Sequence, residues 1–465
     1  MSLSRQFAHF VADLDTADLP PEVVDRARGV TLQALTSALL AYEMSPTRTA
    51  LAMMAEEEAG GAGMATVLGH GTRLTKAGAA FVNSEAILAG GKWDTFRMLT
   101  HPGAAIVPAA LAAAEATPCS GERFVAAIVA GYEVMERMAA EFIPTTMARG
   151  FHAGPVFGIF GAAVAAAKIG ALDADQIHSA IAQCVNLAAG NLEGIRSGGK
   201  SLREGGAVRN ALLAVAMARH GTRGGETTLE GDAGFYYSYT GNNQGLLTHS
   251  FTERRRVRLA DITAGLGEHW LFLDTLYRIY STSGYNIAHI DVTARLCEEH
   301  GIQSRDIDRI EAVVNRFETQ YPSPAFPLPS VDGKPKVGST QYFTAYGAVL
   351  RSYPLLRVWP LSGDERDPAE VLDLMQRVTL IPMAGRTLFG PRITIFTKDG
   401  KSYTREGTGR EFVFDFETLV QRLSPVASGL PIGENQYTEL IDACRHLDEL
   451  ESIGEDLIGL AVSRR

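Results

Sequence analysis

The chain has 465 residues with 43 basic and 53 acidic side chains, a formal net charge of −10, 46 % apolar residues and 21 % charged residues. Those values exclude a disordered, collagen-like or disulfide-stapled protein and allow a large core spread over more than one domain. An acidic chain also lacks the basic footprint that nucleic-acid phosphates need, so no nucleic-acid partner is expected.

Arg5, Asp13 and Asp15 interrupt any apolar run at the start, so no secretory leader is read there. The four cysteines, Cys119, Cys184, Cys297 and Cys444, stand far apart and form no C-x-x-C pair. A thiolate metal site is therefore not expected, and a reducing, cytoplasmic setting is.

The first half reads as helix after helix. Leu19-Pro-Pro-Glu22 suits a helix start, since proline is tolerated in the first turn and an acid there suits the helix dipole. Val23, Val24, Ala27, Val30, Leu32, Leu35 and Leu39 follow at near-helical spacing, which predicts a helix over 21–42. Further helices are predicted over 73–88, 104–115, 121–142, 156–169, 174–189 and 207–220, with Asp173 as an N-cap. The uncharged stretch 153–167 is shorter than the roughly 18 residues of a membrane span and reads as a buried helix, so no membrane partner is expected.

The pattern changes near 262–270. Glu311-Ala-Val-Val-Asn-Arg-Phe317 and Arg392-Ile-Thr-Ile-Phe-Thr397 alternate as strands do, and Lys398-Asp-Gly-Lys401 is a hairpin turn. A Pro-rich loop over 321–336 and a helix near 342–350 lie between them. The predicted architecture is mainly α with an α+β insertion. A large all-helical domain takes 1–264 and 411–465, and a smaller α+β lid domain takes 265–410.

There is no P-loop, no H-E-x-x-H and no G-x-S-x-G, and no metal site is expected. Arg254-Arg-Arg-Val-Arg258 reads as a solvated face or an ion-pair cluster. Three segments carry side chains suited to chemistry. The first, Trp93 to Gly103, sets Asp94, Thr95 and His101 in a loop before an Ala-rich helix, where histidine is poised for proton transfer. Its bland alternative is a capping aspartate and a hydrogen-bonded structural histidine. The second, Arg149-Gly-Phe-His152-Ala-Gly154, puts His152 at the mouth of a buried Gly/Ala helix, facing a cleft or simply satisfied in the core. The third, Arg196-Ser-Gly-Gly-Lys200-Ser-Leu-Arg203-Glu-Gly-Gly206, holds Lys200 and Arg203 between glycine pairs. It reads either as a carboxylate-binding segment or as a flexible surface loop.

Together and in this order, these segments resemble the MmgE/PrpD family, which includes 2-methylcitrate dehydratase, cis-aconitate decarboxylase and iminodisuccinate epimerase. The similarity runs through Asp18-Leu-Pro-Pro-Glu-Val-Val-Asp-Arg-Ala27, Thr100-His-Pro-Gly-Ala104, Ala130-Gly-Tyr-Glu-Val134, Gly150-Phe-His-Ala153 and Thr228-Leu-Glu-Gly-Asp232. Tyr342-Phe-Thr-Ala-Tyr346 and Met375-Gln-Arg-Val-Thr379 extend it into the second module. The resemblance implies a helical domain made of both termini with an α+β lid, a homodimer, no cofactor and a small anionic substrate. It also implies proton transfer beside a carboxylate, followed by elimination, decarboxylation or epimerisation.

Carried over by position, the family's D-F-D-D-T stretch falls on Gly91-Lys-Trp-Asp94-Thr95, so its first aspartate is Gly91 here. Its two motif histidines fall on His101 and His152. K-R-L-H-P-G falls on Lys200-Ser-Leu-Arg203-Glu-Gly205. The lid motif, which opens with K-P-Y, falls on Arg278-Ile-Tyr280 and loses its cysteine pair and histidine further on. The resemblance thus implies His101, His152, Asp94 and Lys200 as catalytic groups, with Thr95, Arg203, Arg278 and Tyr280 as substrate-binding groups. The expected function is a divergent lyase or isomerase acting by proton transfer alpha to a carboxylate or carbonyl of a small polycarboxylate. An epimerase and a catalytically degenerate binding or partner protein are the alternatives.

Overall fold

The computed structural model describes residues 1–59, 61–196, 202–320, 323–324, 333–357 and 367–463, with 196, 202 and 203 described by their backbone alone. The chain divides into two compact units, one helical and one α+β. The first comprises Met1–Leu247, Arg256–Tyr277 and Asp415–Arg465, and the second comprises Thr248–Arg255 and Arg278–Phe414. The sequence reading had placed the corresponding boundaries at 264/265 and 410/411.

The first unit opens with α1 (Leu3–Asp13), α2 (Pro21–Leu40) and α3 (Ser45–Glu57). A short ribbon of β1 (Ala65–Thr66) and β2 (Arg73–Leu74) follows. The predicted helix over 73–88 therefore starts later, as α4 (Lys76–Gly90), because Thr75 Oγ1 accepts from the Gly78 N–H and caps it. It ends on Gly91, whose φ of 74° is the left-handed geometry that favours glycine at a helix stop. Then come α5 (Pro102–Ala116), α6 (Gly121–Ala139), α7 (Ile143–Ala148), α8 (Ala153–Ile169) and α9 (Ala174–Leu187). Asp173 caps α9 in a reciprocal capping box with Gln176.

The helix α10 (Leu202–Arg219) begins five residues before the predicted start at 207, so Glu204, Gly205 and Gly206 are helical. Glycine disfavours helix interiors, which is why this stretch reads as a loop. Close packing explains Gly205: a Cβ there would stand 3.0 Å from the Phe81 ring and 3.1 Å from Glu85 Oε1. α11 (Phe235–Thr240) follows, and residues 415–465 add further short helices, the longest being Glu434–Arg445.

Small residues set the core spacing. A Cβ on Gly161 of α8 would meet the Gly131 carbonyl of α6 at 2.7 Å and Ile106 of α5 at 2.9 Å. α8 is buried along nearly its whole length, as the Ala/Gly composition of 153–167 implied. No helix among the described residues is long and apolar enough to cross a membrane.

In the second unit, α12 (Gly284–Glu299) packs on α13 (Thr340–Leu350), where Gly347 lies against the Ile290 backbone. His289 of α12 is buried and bonds Thr344 at 2.9 Å, and burial pushes its pKa down to about 3. A four-stranded sheet comprises β5 (Ile307–Asn315), β6 (Val378–Met383), β7 (Arg392–Thr397) and β8 (Ser402–Glu406) in the order β6-β5-β7-β8. β5 and β6 are parallel and the other pairs antiparallel. The predicted turn at 398–401 joins β7 to β8, with Gly400 at φ 85°.

Candidate active site

The loop between α4 and α5 carries β3 (Asp94–Thr95), which pairs antiparallel with β4 (Leu276–Tyr277). This ribbon delivers Asp94 to the first turn of α5. Its two carboxylate oxygens accept from the Gly103 N–H at 3.0 and 3.1 Å, and the Tyr132 hydroxyl donates to Oδ2. Negative charge at a helix N-terminus is stabilising, so Asp94 locks the loop to the helix. Burial, reinforced by the Asp94 charge, pushes the Tyr132 hydroxyl up, so it stays protonated as the donor. A side chain at Gly103 would collide with both partners, at 2.7 Å from the Tyr132 hydroxyl and 3.0 Å from Asp94 Oδ2. Thr95 Oγ1 donates to the carbonyls of Thr100 at 3.1 Å and Arg97 at 3.3 Å, folding the loop onto itself.

Arg97 and Leu99 sit at φ 52° and 58°, left-handed geometry in residues with side chains. Such positions cost about 1–3 kcal/mol each and persist only where surroundings enforce them. The loop ends at His101, half-buried and the N-cap residue of α5. Its Nδ1 lies 3.3 Å from the Asp94 backbone carbonyl. A carbonyl oxygen only accepts, so Nδ1 carries the proton in this bond and Nε2 presents the lone pair. The Trp93 ring stands edge-on to the imidazole with centroids 5.3 Å apart.

His152 occupies the equivalent place on α8 but is fully buried. Its backbone N–H donates to the Gly190 carbonyl at 3.0 Å. Its Nδ1 accepts from the Gly154 N–H at 3.2 Å. Nδ1 therefore offers a lone pair, and the neutral ring carries its proton on Nε2. The two histidines are set in opposite tautomers by backbone partners.

The helix starts that carry them come together. The Ala105 Cβ, in the first turn of α5, lies 3.1 Å from where a Cβ on Gly158 of α8 would sit. At the first turn of α8, a Cβ on Gly154 would lie 2.6 Å from Glu204 Oε1 of α10 and 3.0 Å from His152 Cε1. Glu204 and Glu85 are both buried acids. Helix N-termini carry partial positive charge, so this end of the bundle favours anions.

One face of α6 anchors the surroundings. Tyr132 holds Asp94. Glu133 accepts from the backbone N–H groups of Leu271 at 3.3 Å and Phe272 at 3.1 Å, and pairs with Arg137. Arg137 donates to the carbonyls of Ile262, Ala264, Gly265 and His269. Glu136 accepts from Thr275 Oγ1 at 2.5 Å. These bonds pin residues 262–275, which lead into β4 and so support β3. Burial raises the carboxyl pKa of Glu136 well above its ordinary value despite the Thr275 bond. Burial also raises that of Glu133, against the opposing pull of Arg137.

The structure thus joins Asp94, Thr95 and His101 in one loop and sets His152 beside Glu204. Lys200 lies outside the described residues, and the backbone of Arg203 is in the first turn of α10. Arg278 and Tyr280 belong to the second unit, where both are buried and the Tyr280 hydroxyl donates to Asp291 Oδ1 at 3.1 Å. Sequence reasoning missed Tyr132, Glu204 and Glu85. The segment Ala130-Gly-Tyr-Glu-Val134 pointed to the first without a role, whereas a lone acid in a helix gives no signal. Among the described residues no group of three or more His, Cys, Asp or Glu is arranged to hold a metal ion.

Fold and site define a two-unit protein with a helical bundle whose histidines cap adjoining helices. Residues 5–245 match the model of the MmgE/PrpD N-terminal domain, and the chain belongs to the MmgE/PrpD family. It is 24 % identical over 478 residues to cis-aconitate decarboxylase of Aspergillus terreus (strain NIH 2624 / FGSC A1156), across 97 % of this chain and 94 % of that one. It is 28 % identical over 286 residues to cis-aconitate decarboxylase of Homo sapiens, across 58 % of each chain. It is 25 % identical over 309 residues to cis-aconitate decarboxylase-like protein oryM of Aspergillus oryzae, across 63 % of this chain. The matched parts span 61 % of the oryM protein and 58 % of the Homo sapiens protein.

Proposed function

We propose that this chain is a lyase that acts on a small polycarboxylate by proton transfer next to a carboxylate, with decarboxylation as its overall reaction. The relatives' decarboxylase names favour that reaction class. The observation that carries the reading is the opposite hydrogen bonding of His101 and His152 at adjoining helix N-termini. One ring offers an accepting nitrogen and the other a donating one.

In the proposed step the bond from carbon to the departing carboxylate breaks and carbon dioxide leaves. The electron pair passes, through a conjugated double bond where the substrate has one, into an enediolate on a remaining carboxylate, where the positive helix ends favour it. His152 delivers from Nε2 the proton that replaces carbon dioxide, and a solvent proton restores the ring. Lys200, and Arg203 in the first turn of α10, are the cations this reading assigns to the substrate carboxylates. Asp94 acts through position, by fixing the loop that ends in His101.

The opposite tautomers also suit an isomerase or epimerase, in which His101 removes a proton and His152 returns one. Incubation with cis-aconitate and a panel of other polycarboxylates in deuterated water separates the two. A lyase releases carbon dioxide and leaves one solvent deuterium in the product. An isomerase exchanges label and keeps every carbon. Neither turnover nor exchange with any member of the panel would sink the acid/base reading.

A further inference from the structure

An acid strong enough to protonate carbon is harder to build here than the Nε2 proton of His152 suggests. A neutral imidazole holds its last proton tightly, and the competent donor is the imidazolium. Full burial of His152 opposes that charged form. Within the family motif this chain also lacks a carboxylate, having Gly91 where the resemblance places an aspartate, and the left-handed backbone at Gly91 serves to end α4.

We propose that Glu204 supplies the missing negative charge as a positioning residue that stabilises the imidazolium of His152, an inference that rests on the proton-donor role given to His152 above. Glu204 stands at the motif position where the family has proline. Its carboxylate and the Nδ1/Cε1 edge of His152 flank Gly154: the point a Cβ would occupy lies 2.6 Å from Glu204 Oε1, 3.0 Å from Cε1 and 3.1 Å from Nδ1. Any side chain on Gly154 would wedge between them. When Nδ1 takes up a second proton it can no longer accept from the Gly154 N–H, and its new positive charge faces the carboxylate. A carboxylate within about 4–6 Å of a buried imidazole favours its ionisation.

Other elements bring further groups toward α8. α4 brings Glu85, whose Oε1 lies 3.1 Å from the Cβ position of Gly205, and a second acid works in the same direction as the first. Beside the glycines of α8, α6 presents Gly131 and Met135 and α5 presents Ala105 and Ile106, all uncharged. α9 meets α8 through Cys184 at the Ile159 carbonyl. Arg149, three residues before His152, is exposed and bonds the Ser238 carbonyl at 3.2 Å. The N-terminus of α8 itself opposes a positive ring.

Glu204 also lies by the start of α8, where any acid stabilises the helix, so the test needs a readout that helix stability does not move. Ring nitrogen resonances of the full chain labelled with 15N-histidine are followed from acid to alkaline pH, and His152→Gln identifies the signal. In Glu204→Gln the protonation midpoint of His152 is expected to fall by about 1 pH unit or more. Glu204→Asp, which keeps the charge but retracts it, is expected to give a smaller fall in the same direction. An unchanged midpoint in Glu204→Gln overturns the proposal. Should that variant not fold, an unchanged midpoint in Glu204→Asp overturns it equally. No substrate enters the measurement, so failure of the decarboxylase reading leaves the result interpretable on its own.

Discussion

The two histidines occupy like positions by unlike means. His101 caps α5 at the end of a loop bent through two left-handed residues and held by side chains, with Tyr132 on Asp94 and Asp94 on Gly103. His152 caps a helix so closely packed that backbones touch through Gly131 and Gly161. One station depends on a polar network, the other on missing side chains. The difference teaches that a precise site can be held either by bonds that must be made or by volume that must be absent. The two fail differently when altered.

The largest expected effect tests whether the stations share one reaction. His152→Gln and His101→Gln should each lower kcat on the turned-over polycarboxylate by about 10²–10⁴-fold. Label exchange in deuterated water tells the readings apart: in a decarboxylase His152→Gln loses delivery of the proton, whereas in an isomerase His101→Gln loses proton removal and His152→Gln loses proton return. Equal turnover in wild type and both variants would break the pairing.

Next comes the network station. Tyr132→Phe removes a hydrogen bond to a buried carboxylate and should cost about 1–3 kcal/mol in urea unfolding. Faster hydrogen exchange at the Gly103 amide would place the damage at the loop. The packed station should respond to added volume instead. Gly161→Ala gains about 1 kcal/mol of helix propensity but meets the Gly131 carbonyl at 2.7 Å. Overpacking of about 1–3 kcal/mol offsets that gain, so the net change should be modest and destabilising. A stabilised Gly161→Ala would refute the packing account.

The smallest effect supplies a control in the second unit. Burial raises the Glu318 carboxyl from its ordinary value of 4.5 to about 8, against the pull of the Phe389 N–H and Arg386. The folded chain then binds a proton more readily than the unfolded one. The contribution of Glu318 is fully present below pH 4.5 and is lost as pH rises towards 8. Glu318→Gln should flatten the fall in urea midpoint across that window, by at most about 1.4 kcal/mol per pH unit. An unchanged slope would show that the group titrates alike in both states.

Much of the helical unit was legible because its signals are local. Asp173 marked a helix start and is found in a capping box, and the proline-led start of α2 is found at Pro21. The strand at 392–397 and the turn between β7 and β8 followed from alternation and from Asp-Gly, whereas the strand expected over 311–317 is β5, which starts earlier at Ile307 and ends at Asn315, where the Asn315 side chain accepts from the Phe317 N–H and opens a tight turn. The start of α10 did not, because Gly205 answers to Phe81 and Glu85 on another helix rather than to its neighbours in sequence. His101 and His152 stood out as residues, yet their tautomers depend on a carbonyl and an amide that only the folded backbone presents. Glu204 was hidden for the same reason. An acid in the sequence does not announce that it will be buried beside an imidazole.

Gly131 and Tyr132 are consecutive on α6, and their duties point to opposite partners. Gly131 seats α8, which begins at His152, while Tyr132 seats the loop that ends at His101. A single peptide unit therefore acts as the shared datum from which both proposed acid/base histidines are placed. Should both histidines act on one substrate, that fixed spacing would tie turnover to ligand length, and a homologous acid one methylene longer is expected to be turned over more slowly.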